Sequence, residues 1–197
     1  MWGWEPADSA VVTVELFNKH QLNKIMIPGF GYGRNAQPFL DNGFKVSGIE
    51  ISQSAIDFAR KQFADNIEIY HGSVDLMPFD NEIYGGVFCY ALLHLLNAKQ
   101  RKKLIDDCYH QLRPGGYMVF VSISKMDSRY GQGNELDKDT FATWPGVNLY
   151  FYDSESIQSA FGNYDLIDAQ LMSEPLKNSG DKPPQRFWYI VCKREII

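Results

Sequence analysis

Cysteine is scarce: Cys89, Cys108 and Cys192 stand far apart and never form a C-x-x-C pair. That excludes a disulfide framework and a zinc-ligand spacing, so the three read as small buried hydrophobes and no metal is expected. No stretch approaches the ~20 consecutive apolar residues of a membrane span. Met1 to Pro6 has neither the basic start nor the apolar run of a secretion signal, and the expectation is a cytoplasmic protein with no membrane partner. Basic clusters are equally few. The net charge is −5 and only Arg101-Lys102-Lys103 runs together; that run reads as a solvated helix face, and no nucleic-acid partner is expected, because phosphate binding draws on a basic face that releases counterions. Internal repeats, low-complexity tracts and a G-x-x-x-x-G-K-[ST] phosphate loop are all missing, and the last absence disfavours ATP hydrolysis.

What the chain does have is one core's worth of apolar residues, 45% of 197, which fits one domain over residues 1–197. Short apolar runs alternate with helical patterns, the signature of an α/β fold whose mostly parallel sheet is covered by helices on both faces. Strands are expected at Lys24–Pro28, Lys45–Ile49, Ile67–Tyr70, Gly86–Tyr90, Tyr117–Ile123, Tyr164–Leu171 and Phe187–Lys193. Ser52 or Ser54 caps a helix carrying Ala55, Ile56, Ala59 and Phe63 at helical spacing, with Asp57 completing a capping box after Ser54. A second helix runs from about Ala98 to Leu112 and is stopped by Pro114-Gly115-Gly116; shorter ones start at Ser9 and at Asp153 or Ser154. Residues 1–23 form an N-terminal cover segment. Two stretches escape the pattern, Ser124 to Asn148 and Ser173–Gln185, and both read as long surface loops, the first a lid.

Chemistry concentrates in Ile25-Met26-Ile27-Pro28-Gly29-Phe30-Gly31-Tyr32-Gly33-Arg34-Asn35, an apolar strand running into alternating glycines and then a helical segment. Missing Cβ atoms let the backbone turn tightly and approach a ligand, with helix-terminal amides facing it. The next strand ends at Glu50, roughly 20 residues on, where a carboxylate accepts both hydroxyls of a ribose. Together these imply an adenosine-containing ligand. Dinucleotide sites use G-x-G-x-x-G, whereas Gly29, Gly31 and Gly33 make G-x-G-x-G with Arg34 in the last glycine's place, which disfavours NAD and FAD.

These blocks, with Gly48-Ile49-Glu50-Ile51-Ser52, Gly72-Ser73-Val74-Asp75-Leu76-Met77-Pro78-Phe79, Phe88-Cys89-Tyr90-Ala91-Leu92-Leu93-His94 and Leu112-Arg113-Pro114-Gly115-Gly116, resemble the class I S-adenosylmethionine-dependent methyltransferases over about Lys24 to Ser124. Within that class the likeness is to the small-molecule branch with thiopurine, thiol and tellurite enzymes. The resemblance implies a Rossmann-like methyltransferase fold with a seven-stranded sheet, S-adenosylmethionine as cofactor and a small-molecule methyl acceptor. By position it implies that Gly29, Phe30, Gly31 and Gly33 pass beneath the methionine part, that Glu50 holds the ribose diol and that Ile51 packs on the adenine. Ser73 and Val74 border the adenine edge, and Cys89-Tyr90-Ala91 sit beside the sulfonium. Two positions depart from the family pattern: Ile27 stands where an acid is usual two residues before the first glycine, and Ser73 stands where one usually follows Gly72. The acceptor of the adenine amino group is then Ser73, Asp75 or a backbone carbonyl.

Methyl transfer from a sulfonium is an in-line displacement in which positioning supplies much of the rate, up to roughly 7–11 kcal/mol for ideal orientation. A general base is needed only where the acceptor must lose a proton. His94 is the better-placed candidate and Tyr90 the other, though His94 reads more readily as a hydrogen-bonded structural histidine at a helix start. Trp2, Trp4, Tyr130, Trp144, Tyr150 and Tyr152 are expected to cover the pocket, a wall that favours an apolar or cationic acceptor. The competing readings are an enzyme acting on protein or RNA and a non-catalytic module that binds S-adenosylmethionine.

Overall fold

The computed structural model describes residues 3–144, 146–175 and 184–196, the side chains of Asp65 and Trp144 excepted. Strands β1 (Lys24–Pro28), β2 (Lys45–Glu50), β3 (Ile67–His71), β4 (Tyr84–Tyr90) and β5 (Leu112–Ile123) run parallel. Strand β4 and the second half of β5 are buried almost without break, as central parallel strands covered on both faces must be. Strands β9 (Leu166–Glu174) and β10 (Gln185–Lys193) complete a seven-stranded sheet of order β3-β2-β1-β4-β5-β10-β9, with β10 antiparallel to both neighbours. The strand order reverses between β1 and β4, and in such sheets the crevice beyond the strands' carboxyl ends at that switch point is where ligands bind.

Helices α1 (Asp8–Lys19), α2 (Gln37–Asp41) and α3 (Gln53–Phe63) contribute to one core layer, where Phe17, Phe39, Phe63 and Phe88 meet. Helices α4 (Ala98–His110) and α5 (Ser154–Phe161) contribute to the other, with Leu104, Cys108, Phe120 and Phe161. All three cysteines are buried and free. Of the two expected caps, Ser52 is the one used: its hydroxyl accepts from the Ala55 amide, and Ser54 only bonds Ser52. Asn97 with Gln100 caps α4, and Asp153 with Ser156 caps α5.

Two expectations change. Residues 124–148 are not an irregular loop: they turn through Gly131 and Gly133 into a three-stranded antiparallel sheet, β6 (Asn134–Asp137), β7 (Thr140–Trp144) and β8 (Val147–Tyr150). Edge-on packing of Tyr130, Phe141 and Phe151 holds it, while β6 is fully exposed, which is why its polar sequence gives no strand signal. Strand β9 continues through Glu174, so the loop expected from Ser173 starts later, and its residues 176–183 lie outside the described residues, as does Trp2.

Candidate active site

The glycine turn hangs from the end of β2. The amides of Gly29 and Phe30 both donate to the Ile49 carbonyl at 2.9 Å, which locks the turn against the strand that ends in Glu50. Gly31 and Gly33 both take left-handed backbone, φ 59° and 89°. Their surroundings differ. A Cβ on Gly33 would lie 2.4 Å from the buried ring of Phe63, whereas one on Gly31 would meet nothing within 4 Å. Gly33 is therefore a packing glycine, and Gly31 borders the open crevice. Gly33→Ala is expected to cost about 3 kcal/mol from backbone strain and overpacking, and Gly31→Ala only about 1 kcal/mol of strain, measured by denaturant unfolding. Phe30 turns inward, 4% exposed, beneath Gly48, where a Cβ would lie 2.3 Å from its ring, so it offers a ligand only its backbone.

Glu50 is half-buried, and both its oxygens are engaged by backbone amides: Oε2 accepts from Gly31 and Oε1 from Ser52, each at 2.7 Å. The carboxylate is thus held by the backbone, and each oxygen keeps a further lone pair for a ligand. Beside it Ile51 is 66% exposed, a large apolar side chain left uncovered at the rim. Gly72 donates to the Glu50 carbonyl at 3.0 Å, which brings the next turn alongside. There Ser73 is half-buried and Val74 buried. Asp75 Oδ1 is buried with no hydrogen-bond partner among the described residues, while Oδ2 accepts from Gln100 at 3.4 Å. The Ser73 hydroxyl and the Gln100 amide beside it hold the Asp75 carboxyl below its usual range. The turn, the held carboxylate, the bare isoleucine and the Asp75 carboxyl beside them are the features an adenosine moiety fits.

At the end of β4, Cys89 is fully buried and burial pushes its thiol up, so it too presents only backbone. Tyr90 is half-buried; its hydroxyl donates to Glu174 Oε2 at 2.6 Å and the Arg34 guanidinium lies 5.3 Å from its ring centre. Burial, then the Glu174 charge, push the phenol above its ordinary value. Glu174 is only 6% exposed and its Oε1 accepts from the Ser9 amide at 2.9 Å. No sequence signal marks Glu174, which lies in a stretch expected to be loop.

His94 is poorly placed to serve as a base. It is buried, its Nδ1 accepts from the Ile123 amide at 3.2 Å, and burial, reinforced by the Arg129 charge, lowers its pKa to about 3. A neutral imidazole accepting at Nδ1 carries its proton on Nε2, so no lone pair is left to take another. The aromatic cover also resolves differently. Tyr150 and Tyr152 line a cavity of about 510 Å³ between α4 and α5 that shares no lining residue with the glycine turn, and the Arg101 guanidinium stacks 3.8 Å from the Tyr150 ring centre. The N-terminal segment instead reaches the turn itself. Tyr32 donates to the Gly3 carbonyl, Arg34 donates to the Glu5 carbonyl at 2.8 Å, Asn35 accepts from the Ala7 amide at 2.9 Å, and Trp4 packs edge-on against Tyr32.

Residues 25–116 match the family model of a methyltransferase domain. A tRNA N(3)-methylcytidine methyltransferase, Mettl2 of Drosophila melanogaster, is 25% identical over 84% of this chain and 53% of its own length. The ubiquinone biosynthesis O-methyltransferase of Coxiella burnetii is 27% identical over 59% of this chain and 49% of its own. The chain thus spans about half the length of these curated relatives. In fold it is similar to the 1,6-didemethyltoxoflavin N1-methyltransferase of Burkholderia thailandensis, solved with its substrate and S-adenosylhomocysteine: TM-score 0.73 at 13% identity, over 96% of this chain and 79% of that one. These relatives are named as methyltransferases, none of them of the thiopurine, thiol or tellurite branch, and the tRNA enzyme among them stands against ruling out nucleic acid. Over residues 25–116 the chain is thus similar to a methyltransferase domain, and its fold is similar to that of solved S-adenosylmethionine-dependent methyltransferases.

Proposed function

We propose that the protein transfers a methyl group from S-adenosylmethionine to a small-molecule acceptor. The observation that carries this is the Glu50 carboxylate, fixed by the amides of Gly31 and Ser52 at the mouth of the switch-point crevice. In this reading Glu50 holds the ribose hydroxyls, Ile51 covers the adenine, Val74 lines its edge, and Asp75 or Ser73 receives its amino group. The turns at Gly29 to Gly33 and at Cys89-Tyr90 carry the methionine end. The bound donor supplies an electrophilic methyl on a good leaving group; the chain's part is to align it and exclude water. An acceptor of small size is supported by the net charge of −5 and by the scarcity of clustered cations. A second reading, methylation of RNA, is favoured by the match to the tRNA enzyme.

Labelled donor incubated with thiols, amines, phenols and metalloid salts, and separately with tRNA, tests both. Formation of S-adenosylhomocysteine with the small molecules upholds the proposal, and formation with tRNA alone replaces it by the second reading. S-adenosylhomocysteine is expected to raise the melting temperature where NAD and FAD do not. Equal stabilisation by NAD would sink the cofactor assignment.

A further inference from the structure

We propose that Tyr90 and Glu174 form a proton-accepting pair that suits the site to acceptors carrying an O–H or N–H proton, such as phenols, alcohols and amines. The inference rests on the methyltransferase reading and adds to it the acceptor's chemistry. Glu174 sits at the end of the edge strand β9, separated from β4 by β5 and β10, on the half of the sheet away from the glycine turn. It is nonetheless 94% shielded from solvent and receives two donors, the Tyr90 hydroxyl at 2.6 Å and the Ser9 amide at 2.9 Å. Among the described residues no lysine, arginine or histidine nitrogen lies within ion-pairing reach of it. A carboxyl group this buried, whose partners among the described residues are a phenol and a backbone amide, calls for a reason beyond packing.

Position supplies the reason. Tyr90 ends β4 at the switch point, half-buried, with its ring packed against Phe187 and its hydroxyl bridging to Glu174. Of the pair, Tyr90 is carried by the switch-point strand β4, while Glu174 comes from the sheet-edge strand β9. A phenol that donates to a carboxylate is a better acceptor at its own oxygen, because hydrogen bonds in a chain polarise one another. As the acceptor atom attacks the methyl carbon, its proton passes to the Tyr90 oxygen while the Tyr90 proton passes to Glu174 Oε2. The carbon–sulfur bond breaks with its electron pair left on sulfur, a new bond joins acceptor and methyl, and Glu174 ends protonated. The phenol never becomes a free phenolate, in keeping with burial and the Glu174 charge both opposing its ionisation. His94, the other candidate, has no lone pair to offer.

The test separates acceptors that must shed a proton from those that arrive without one. Turnover of 4-methylphenol is compared with that of 4-nitrophenol and thiophenol, at a pH where the latter two are largely anions, in the wild type, Glu174→Gln and Tyr90→Phe. Glutamine keeps an acceptor for the Tyr90 hydroxyl but takes no proton, so 4-methylphenol turnover is expected to fall roughly 100-fold or more, the range general-base catalysis supplies, with the anions within about 3-fold of wild type. Tyr90→Phe keeps the ring and its packing and should show the same split, and it carries the test if Glu174→Gln fails to fold. Equal losses with all three acceptors mean a packing role and overturn the proposal; so does a wild type that methylates thiophenol but no phenol, alcohol or amine. Calorimetric binding of S-adenosylhomocysteine is measured alongside: binding to wild type and variants with the split absent sinks the pair alone, and no binding to wild type sinks the methyltransferase reading beneath it.

Discussion

Glu50→Ala is expected to raise the dissociation constant for S-adenosylhomocysteine roughly 10- to 100-fold, because hydrogen bonds to a charged group contribute ~1.5–3 kcal/mol. The structure adds a cost that the sequence does not foretell. The carboxylate satisfies the amides of Gly31 and Ser52, so truncation leaves two donors unpaired at the turn and at the start of α3. Both are only part-buried and water can reach them, which limits the loss of stability in the unliganded protein to about 1–2 kcal/mol. Glu50→Gln separates the two effects: its amide keeps one acceptor oxygen for the backbone but presents a donor where the ribose needs an acceptor, so stability should recover more than affinity. Calorimetric titration and denaturant unfolding of both variants supply the four numbers. Unaltered affinity in Glu50→Ala, with stability lost, would make this carboxylate a brace for the glycine turn and nothing more.

The half of the molecule that reads well from sequence is the half built from local rules. Strands β1 to β4 are short apolar runs bounded by turn residues, and the glycine turn and Glu50 stand at fixed separations along one stretch of chain, so both pattern and spacing survive in one dimension. Helix α2 stands where a helical segment is expected after the glycines, but five residues opening on Gln37-Pro38 carry too little periodicity to fix its bounds. Strand β6 escapes because a strand with both faces in water keeps no apolar alternation. The Tyr90–Glu174 contact spans 84 residues and is made by the antiparallel return of β9, a pairing that sequence spacing cannot encode. Phe30 and Cys89 show the opposite failure: both fall at the right position in their motifs, but Phe30 turns inward beneath Gly48 and Cys89 lies in a strand buried on both faces, so their side chains join the core.

Below neutral pH the protein is expected to lose stability before its carboxylates begin to titrate, and His94 is the cause. Its folded pKa is lowered from 6.5 to about 3, first by burial and then by the Arg129 charge, so the folded protein keeps it neutral while the unfolded chain protonates it. Below pH 6.5 the unfolded state then binds more protons, and stability falls with falling pH by up to about 1.4 kcal/mol per pH unit, until the folded state also protonates near pH 3. Between pH 6.5 and about 4.5 the loss amounts to roughly 2–3 kcal/mol, a large share of a typical domain's stability. Other depressed groups act elsewhere. Asp127, despite its burial, is held down by Arg129 and by the Arg186 and Arg129 amides, and Asp153 by Lys125; both lose their contribution only beneath the ordinary carboxylate range. His20, lowered chiefly by burial, shares the window, but it is half-exposed and solvent screening leaves it a minor part. His94→Gln offers the Ile123 amide an uncharged acceptor in place of Nδ1 and should flatten the unfolding free energy between pH 6.5 and 4.5, even if it lowers stability at neutral pH. Urea unfolding across that range decides it: a slope unchanged from wild type would mean that the acid sensitivity arises at another group.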